Sequence, residues 1–228
     1  MNRNRACGLL ILLISALLFV VAGTWVERST PLGLLDFKVL YYGAKCYTHH
    51  CDPYNISEFQ RFYSQVGAER PGDPAVIRYV VTEYVYLPTT FLFTAPFTLL
   101  PWPAAHLLWT TLTCLCYFLA CLLIWTVCAS RAPVISALLI GFLLASSQVI
   151  FAGGNAVGIV VSLCAIAVWC FTQSRFERTG ALCLAIALLI KPHDAGLVWL
   201  FFLLAGSAYR KRALQTMVLA GAMTLAAL

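Results

Sequence analysis

The side chains with chemistry to offer are few and far apart in the chain. Asp36 stands in L-L-D-F-K-V-L-Y-Y, where the only long polar stretch begins. Lys191 ends an apolar run in I-K-P-H-D, with His193 and Asp194 beside it, and Asn155 closes the triplet Gly153-Gly154-Asn155. A carboxylate near a lipid surface suits a general base, which needs a hydroxyl within hydrogen-bond reach. A helix-cap or plain loop role fits Asp36 as well. A lysine where an apolar helix meets the surface suits a phosphate, held as a point charge. It is equally a residue that snorkels, and Pro192 equally a helix stop. His193 and Asp194 either shape that site or cap the next helix. Gln148 groups with Asn155, since an amide near the end of an apolar helix needs a partner; the adjacent glycines give close packing as an equal account. Tyr41 and Tyr86 are the aromatic candidates for substrate contact.

Other chemistries lack their residues. No Walker A pattern, dinucleotide fingerprint, H-E-x-x-H or G-x-S-x-G occurs, which removes support for nucleotide-driven transport and the common hydrolases. Cys46 and Cys51 flank His49 and His50, but tetrahedral zinc needs all four to converge within a very short loop. No residue is assigned to a metal, and dependence on a divalent ion is left open. Cys46 and Cys51 are candidates for a disulfide if their segment faces an oxidising compartment. The other eight of the ten cysteines lie in or beside apolar runs and read as small buried residues.

The elements that must position these groups are membrane helices. Hydrophobic residues make up 61% of the 228 and charged residues 11%, with a mean hydropathy of +0.86. A soluble domain has about 45–50% apolar and about 25% charged residues. The excess lies in runs, as hydrocarbon requires of a backbone that must satisfy itself. The net charge of +6 is not gathered into a polar domain, so no nucleic-acid partner is expected. The basic residues sit beside the apolar runs, as topology determinants do.

The expected fold is therefore an all-α integral membrane bundle, one domain over 1–228. Its spans fall at about 8–26, 104–128, 134–152, 156–172, 179–190, 195–209 and 213–228. The 27–86 loop, large and polar, carries amphipathic helices at headgroup level. One starts near Asp36 and runs through Cys46, with Phe37, Leu40, Tyr41 and Ala44 on a face. The other is capped by Ser57 and runs through Val66, with Phe59, Phe62 and Tyr63 together. Asp52-Pro53-Tyr54-Asn55 and Pro71-Gly72-Asp73-Pro74 read as turns; the first accounts for Asn55 without glycosylation. The 88–100 stretch is too short for a comfortable span and is expected to be re-entrant or interfacial. With the N-terminus cytoplasmic, Arg131, Arg175, Arg178 and the Arg210-Lys211-Arg212 cluster all fall inside. Asp36, Asn155 and Lys191 then share the outer side. The chain ends within an apolar run, as the N-terminal part of a longer protein would.

The order of motifs resembles the GT-C superfamily of membrane glycosyltransferases, and within it glycosyltransferase family 87 (the DUF2029 group). The similar features are D-F-K-V-L-Y-Y-G-A-K at 36–45, D-P-Y at 52–54, Y-L-P at 86–88, A-P-F-T-L-L-P at 95–101, Leu108-Trp109, G-G-N at 153–155 and K-P at 191–192. The resemblance implies a GT-C-like bundle in a cell inner membrane or plasma membrane. It implies transfer of a hexose, commonly mannose, from a polyprenyl-phosphate donor to a membrane-proximal lipid or glycan acceptor. Asp36 matches the acid expected to act as base. Lys191, His193, Asn155, Tyr41 and Tyr86 are the candidate substrate contacts. On the residues alone, a multi-span transporter or a non-catalytic assembly protein are the other classes.

Overall fold

The computed structural model describes residues 3–30, 33–66 and 84–227. All regular structure among them is helical. Helices α1 (Arg3–Ser29), α2 (Leu35–Thr48) and α3 (Ile56–Val66) come first. A broken segment follows, with 3-10 turns at Pro88–Thr90 and Ala95–Leu99 on either side of α4 (Phe91–Thr94). The remainder is α5 (Trp102–Cys128), α6 (Pro133–Ser146), α7 (Gln148–Gly153), α8 (Val157–Thr172), α9 (Glu177–Ile190), α10 (Pro192–Leu204) and α11 (Ser207–Ala227). The turn expected at Pro71-Gly72-Asp73-Pro74 lies outside the described residues.

Three helical stretches are long and apolar enough to cross a membrane: Arg3–Ser29, Trp102–Cys128 and Pro133–Gly153. Their leucines and valines are widely exposed, Leu17, Leu115 and Leu139 among them, which in water would be costly and in lipid is not. The molecule is an all-α membrane protein. The interval expected as a span at 134–152 is one such stretch, Pro133–Gly153, made of α6 and α7 with a break at Ser147. There the Tyr117 hydroxyl lies 2.9 Å from the Ser147 hydroxyl.

From α8 onward, short turns connect helices that reverse direction, and α8, α9, α10 and α11 pack against one another. One end of this bundle carries Asn155 and the α9–α10 junction. The opposite end carries the α8–α9 turn and the start of α11. Pro192 begins α10 as its first residue, where its fixed φ suits a helix and its missing N–H costs nothing. The Lys-Pro pair therefore ends one helix and opens the next.

Helix α2 is the element that the sequence under-describes. Phe37, Leu40, Tyr41 and Ala44 are buried as their spacing predicts, but so are Val39, Tyr42, Gly43 and Cys46. It is packed nearly all round, not laid on an open surface. The Phe37 ring stacks on Trp109 at 4.4 Å and on Trp102 at 5.6 Å, contacts of about 0.5–1.5 kcal/mol each beyond area burial. Cys46 and Cys51 are joined by a disulfide with Cα atoms 4.8 Å apart. The bridge closes the turn after α2 and takes both sulfurs out of any metal site. The cap of α3 is Asn55 and not Ser57: its Oδ1 accepts the backbone N–H groups of Ser57 and Glu58. An amide oxygen two residues earlier reaches the orphan donors that Ser57, already inside the helix, cannot.

Candidate active site

Helix α2 enters through Leu34, which is left-handed at φ 56° and donates its N–H to the Ala152 oxygen at 2.7 Å. This binds the start of α2 to the end of α7. Gly154, at φ 64°, ends α7 directly against it. A Cβ on Gly154 would sit 2.4 Å from Leu34 Cδ2 and 2.9 Å from Phe37 Cβ, so both conformation and space demand glycine. The Gly154 oxygen accepts the indole N–H of Trp109 at 2.9 Å. The result is a fixed backbone at the next residue, Asn155.

Asn155 joins the candidates. Its Nδ2 donates to Asp36 Oδ2 at 2.7 Å, and its Oδ1 accepts from Lys191 Nζ at 2.9 Å. The same oxygen accepts the Val157 N–H at 2.9 Å, which turns the chain into α8. Carboxylate on one side and ammonium plus backbone donor on the other fix the orientation of the amide. Asp36 is thus in the first turn of α2 without capping it; its side chain reaches across to another element. Lys191 Nζ also lies 4.0 Å from Asp194 Oδ2 and 5.6 Å from the centre of the Tyr86 ring. His193 Nε2 is 3.6 Å from Asp194 Oδ1.

These groups line one open cavity of about 480 Å³. Asp36, Tyr86, Asn155, Lys191 and His193 all contribute to its wall, and Leu35, Val39, Leu87 and Ile190 supply its apolar part. The His193 side chain is 73% exposed, whereas Lys191 is only 15% exposed. Among the described residues, the one hydrogen bond to the Asp36 carboxylate comes from Asn155. Burial, with the Asp36 and Asp194 charges behind it, pushes the Tyr86 hydroxyl well above its ordinary pKa. It stays protonated and can donate. No group of three or more His, Cys, Asp or Glu side chains converges as a metal site among the described residues.

Tyr41 is not brought to this cavity. It is 1% exposed, its ring lies edge-on to Trp102, and its hydroxyl donates to the Leu100 oxygen at 2.8 Å. Its place on the buried face of α2 explains this. Gln148 is also absent from the wall; its amide faces the Ala145 and Ser146 carbonyls. Two further contacts join residues far apart in the sequence. The Tyr54 hydroxyl donates to the Tyr86 oxygen at 2.8 Å, holding the rim residue from the disulfide turn. Glu27 pairs with His106 at 2.9 Å, tying the end of α1 to the start of α5.

A second, larger cavity of about 930 Å³ shares Leu87 with the first. Phe91, Leu92, Pro96 and Leu99 of the broken segment make much of its wall.

No curated protein matches the chain, and no solved structure does. The profile of glycosyltransferase family 87 matches residues 84–228, more than half of the chain. Tyr86, Asn155, Lys191 and His193 lie inside the matched region, and Asp36 lies before it. By that match this membrane protein belongs to glycosyltransferase family 87 and is a glycosyltransferase.

Proposed function

We propose that the chain transfers a hexose, with mannose the first candidate, from a polyprenyl-phosphate donor to a lipid or glycan acceptor on the extracytoplasmic side. The observation that carries this reading is the hydrogen-bonded row Asp36–Asn155–Lys191 along one cavity. It sets a base and a cation at a fixed separation, as a displacement at an anomeric carbon needs.

Asp36 takes the proton of the acceptor hydroxyl. The acceptor oxygen bonds to the anomeric carbon from the face opposite the phosphate, and the bond from that carbon to the phosphate oxygen breaks. The electron pair leaves with polyprenyl phosphate, and the configuration inverts. A phosphate needs no general acid to depart. Lys191 offsets the charge that develops on it, and the Tyr86 hydroxyl is a neutral donor beside it. Asn155 touches both Asp36 and Lys191 and keeps them in register. The adjoining apolar cavity suits the start of the isoprenoid tail, because Leu87 is common to both walls. The Cys46–Cys51 bridge supports an oxidising, extracytoplasmic setting for this end. With the N-terminus cytoplasmic, the basic connections 131, 175–178 and 210–212 lie on the other side, which supports a multi-pass arrangement.

The test offers the chain two donors, polyprenyl-phosphate hexose and a nucleotide-linked hexose. Transfer from the first alone is expected, with the donor KM of Lys191→Gln raised about tenfold, the cost of one hydrogen bond to a charged group. Equal use of the nucleotide sugar would remove the donor assignment. An unchanged KM would remove the phosphate role of Lys191.

A further inference from the structure

A third cavity lies at the opposite end of the bundle, between the first turns of α9 and the first half of α11. It encloses about 810 Å³. One part of its wall is cationic, formed by Arg178, Arg210 and Lys211, with the neutral donors Ser207 and Gln215 among them. The other part is aliphatic, formed by Leu182, Leu214, Val218 and Leu219.

The charges in this groove are not neutralised by the nearest acid. Glu177 is committed to Arg212, which points the other way, onto the Phe171 oxygen and Ser174. Arg210 donates its Nε–H to the Leu203 oxygen at 3.3 Å, which leaves its terminal guanidinium nitrogens for another acceptor. All three cations are exposed, and Val218 is 71% exposed. A ligand that matches this wall has an anionic head with hydroxyl or phosphate acceptors, and acyl chains that run along α11. An uncharged lipid leaves the cations unanswered; a free anion leaves the aliphatic half bare.

We infer that this groove is a binding site for an anionic phospholipid, whose phosphate is held by Arg178, Arg210 and Lys211 and whose chains cover Leu182, Leu214 and Val218. The site depends on membrane association and is independent of the donor and of the role of Asp36. It makes the packing of α11 on α9 responsive to the lipid composition of the leaflet that the basic end meets. Each cation near such a headgroup is worth about 1 kcal/mol, so the loss of one weakens binding about fivefold.

The experiment uses the delipidated chain in a neutral detergent, with thermal unfolding followed during titration. The probes are phosphatidylglycerol, phosphatidylcholine with the same acyl chains, and inorganic phosphate alone. Phosphatidylglycerol should raise the unfolding temperature in a saturable way, with the other two giving little. Arg178→Gln with Arg210→Gln should weaken that response by about 25-fold, from two losses of about fivefold. Val218→Trp, which fills the aliphatic half and keeps every charge, should weaken it too. Equal effects of the two lipids would overturn recognition of charge. A full effect of inorganic phosphate, or an unaltered response in Val218→Trp, would overturn the groove as a lipid site.

Discussion

Two charged networks sit at opposite ends of the same helices, and they are built to different ends. At one, Arg212 donates to the Phe171 oxygen, to Ser174 and to Glu177, and its guanidinium also faces the rings of Phe171 and Tyr209. Ser174 and Phe176, both left-handed, fold the α8–α9 turn onto it. That network is closed. At the other end, Asn155 spends its amide on Asp36 and Lys191, yet the three line an open cavity. A closed network of this kind holds helices together; an open one leaves a carboxylate and an ammonium on a cavity wall. The difference is not one of burial, since Lys191 is itself only 15% exposed.

The contrast can be broken by exchange of readouts. Asp36→Asn should abolish most turnover and leave the unfolding temperature near that of the unaltered chain. Arg212→Met should do the reverse. It removes the guanidinium from the Phe171 oxygen, which keeps the Ser174 N–H, and from Glu177, and is expected to cost about 1–3 kcal/mol, read as a lower unfolding temperature in detergent, with turnover per folded molecule preserved. Asn155→Ala should fall between these. It removes one hydrogen bond to each charged partner and should lower turnover about 10–100-fold, with a smaller loss of stability. An Asn155→Ala chain with normal turnover would show that Asp36 and Lys191 need no common positioner. The smallest effect overall belongs to the Cys46→Ser, Cys51→Ser pair. Opening this short loop should cost about 2 kcal/mol of stability, measured against the disulfide-bonded, unaltered chain, with little change in turnover at low temperature.

Part of this arrangement was legible in the residues. Hydropathy and the helical spacing of 37, 40, 41 and 44 pointed to membrane helices and to a buried face on α2. Asn155 and Lys191, at the ends of apolar runs, and Asp36, at the start of the polar stretch, stand out as the polar groups with chemistry to offer near a lipid surface. What spacing could not supply was which partner. Nothing in G-G-N says that its amide bridges residues 36 and 191; that follows from the positive φ of Gly154 and the close approach of Leu34, both tertiary facts. Tyr41 shows the converse. As an aromatic close to Asp36 in sequence it is a candidate contact, but the buried face of α2 claims it first. Asn55 displaces Ser57 as cap because helix starts are decided by which oxygen reaches the free N–H groups, here a matter of two residues. The lining of the anionic-lipid groove was hidden for a simpler reason. Arg178 and Arg210 read as topology signals, and only the packing of α9 on α11 sets them around one space.

The central claim is that Asp36 is the base of a transfer reaction in the cavity it shares with Lys191. Its most direct test is the turnover number of Asp36→Asn with saturating polyprenyl-phosphate hexose, expressed per folded molecule. General-base catalysis is worth about 10²–10⁴-fold, so turnover should fall by at least about a hundredfold while donor binding is retained. Turnover close to that of the unaltered chain, with equal folding, would contradict the account.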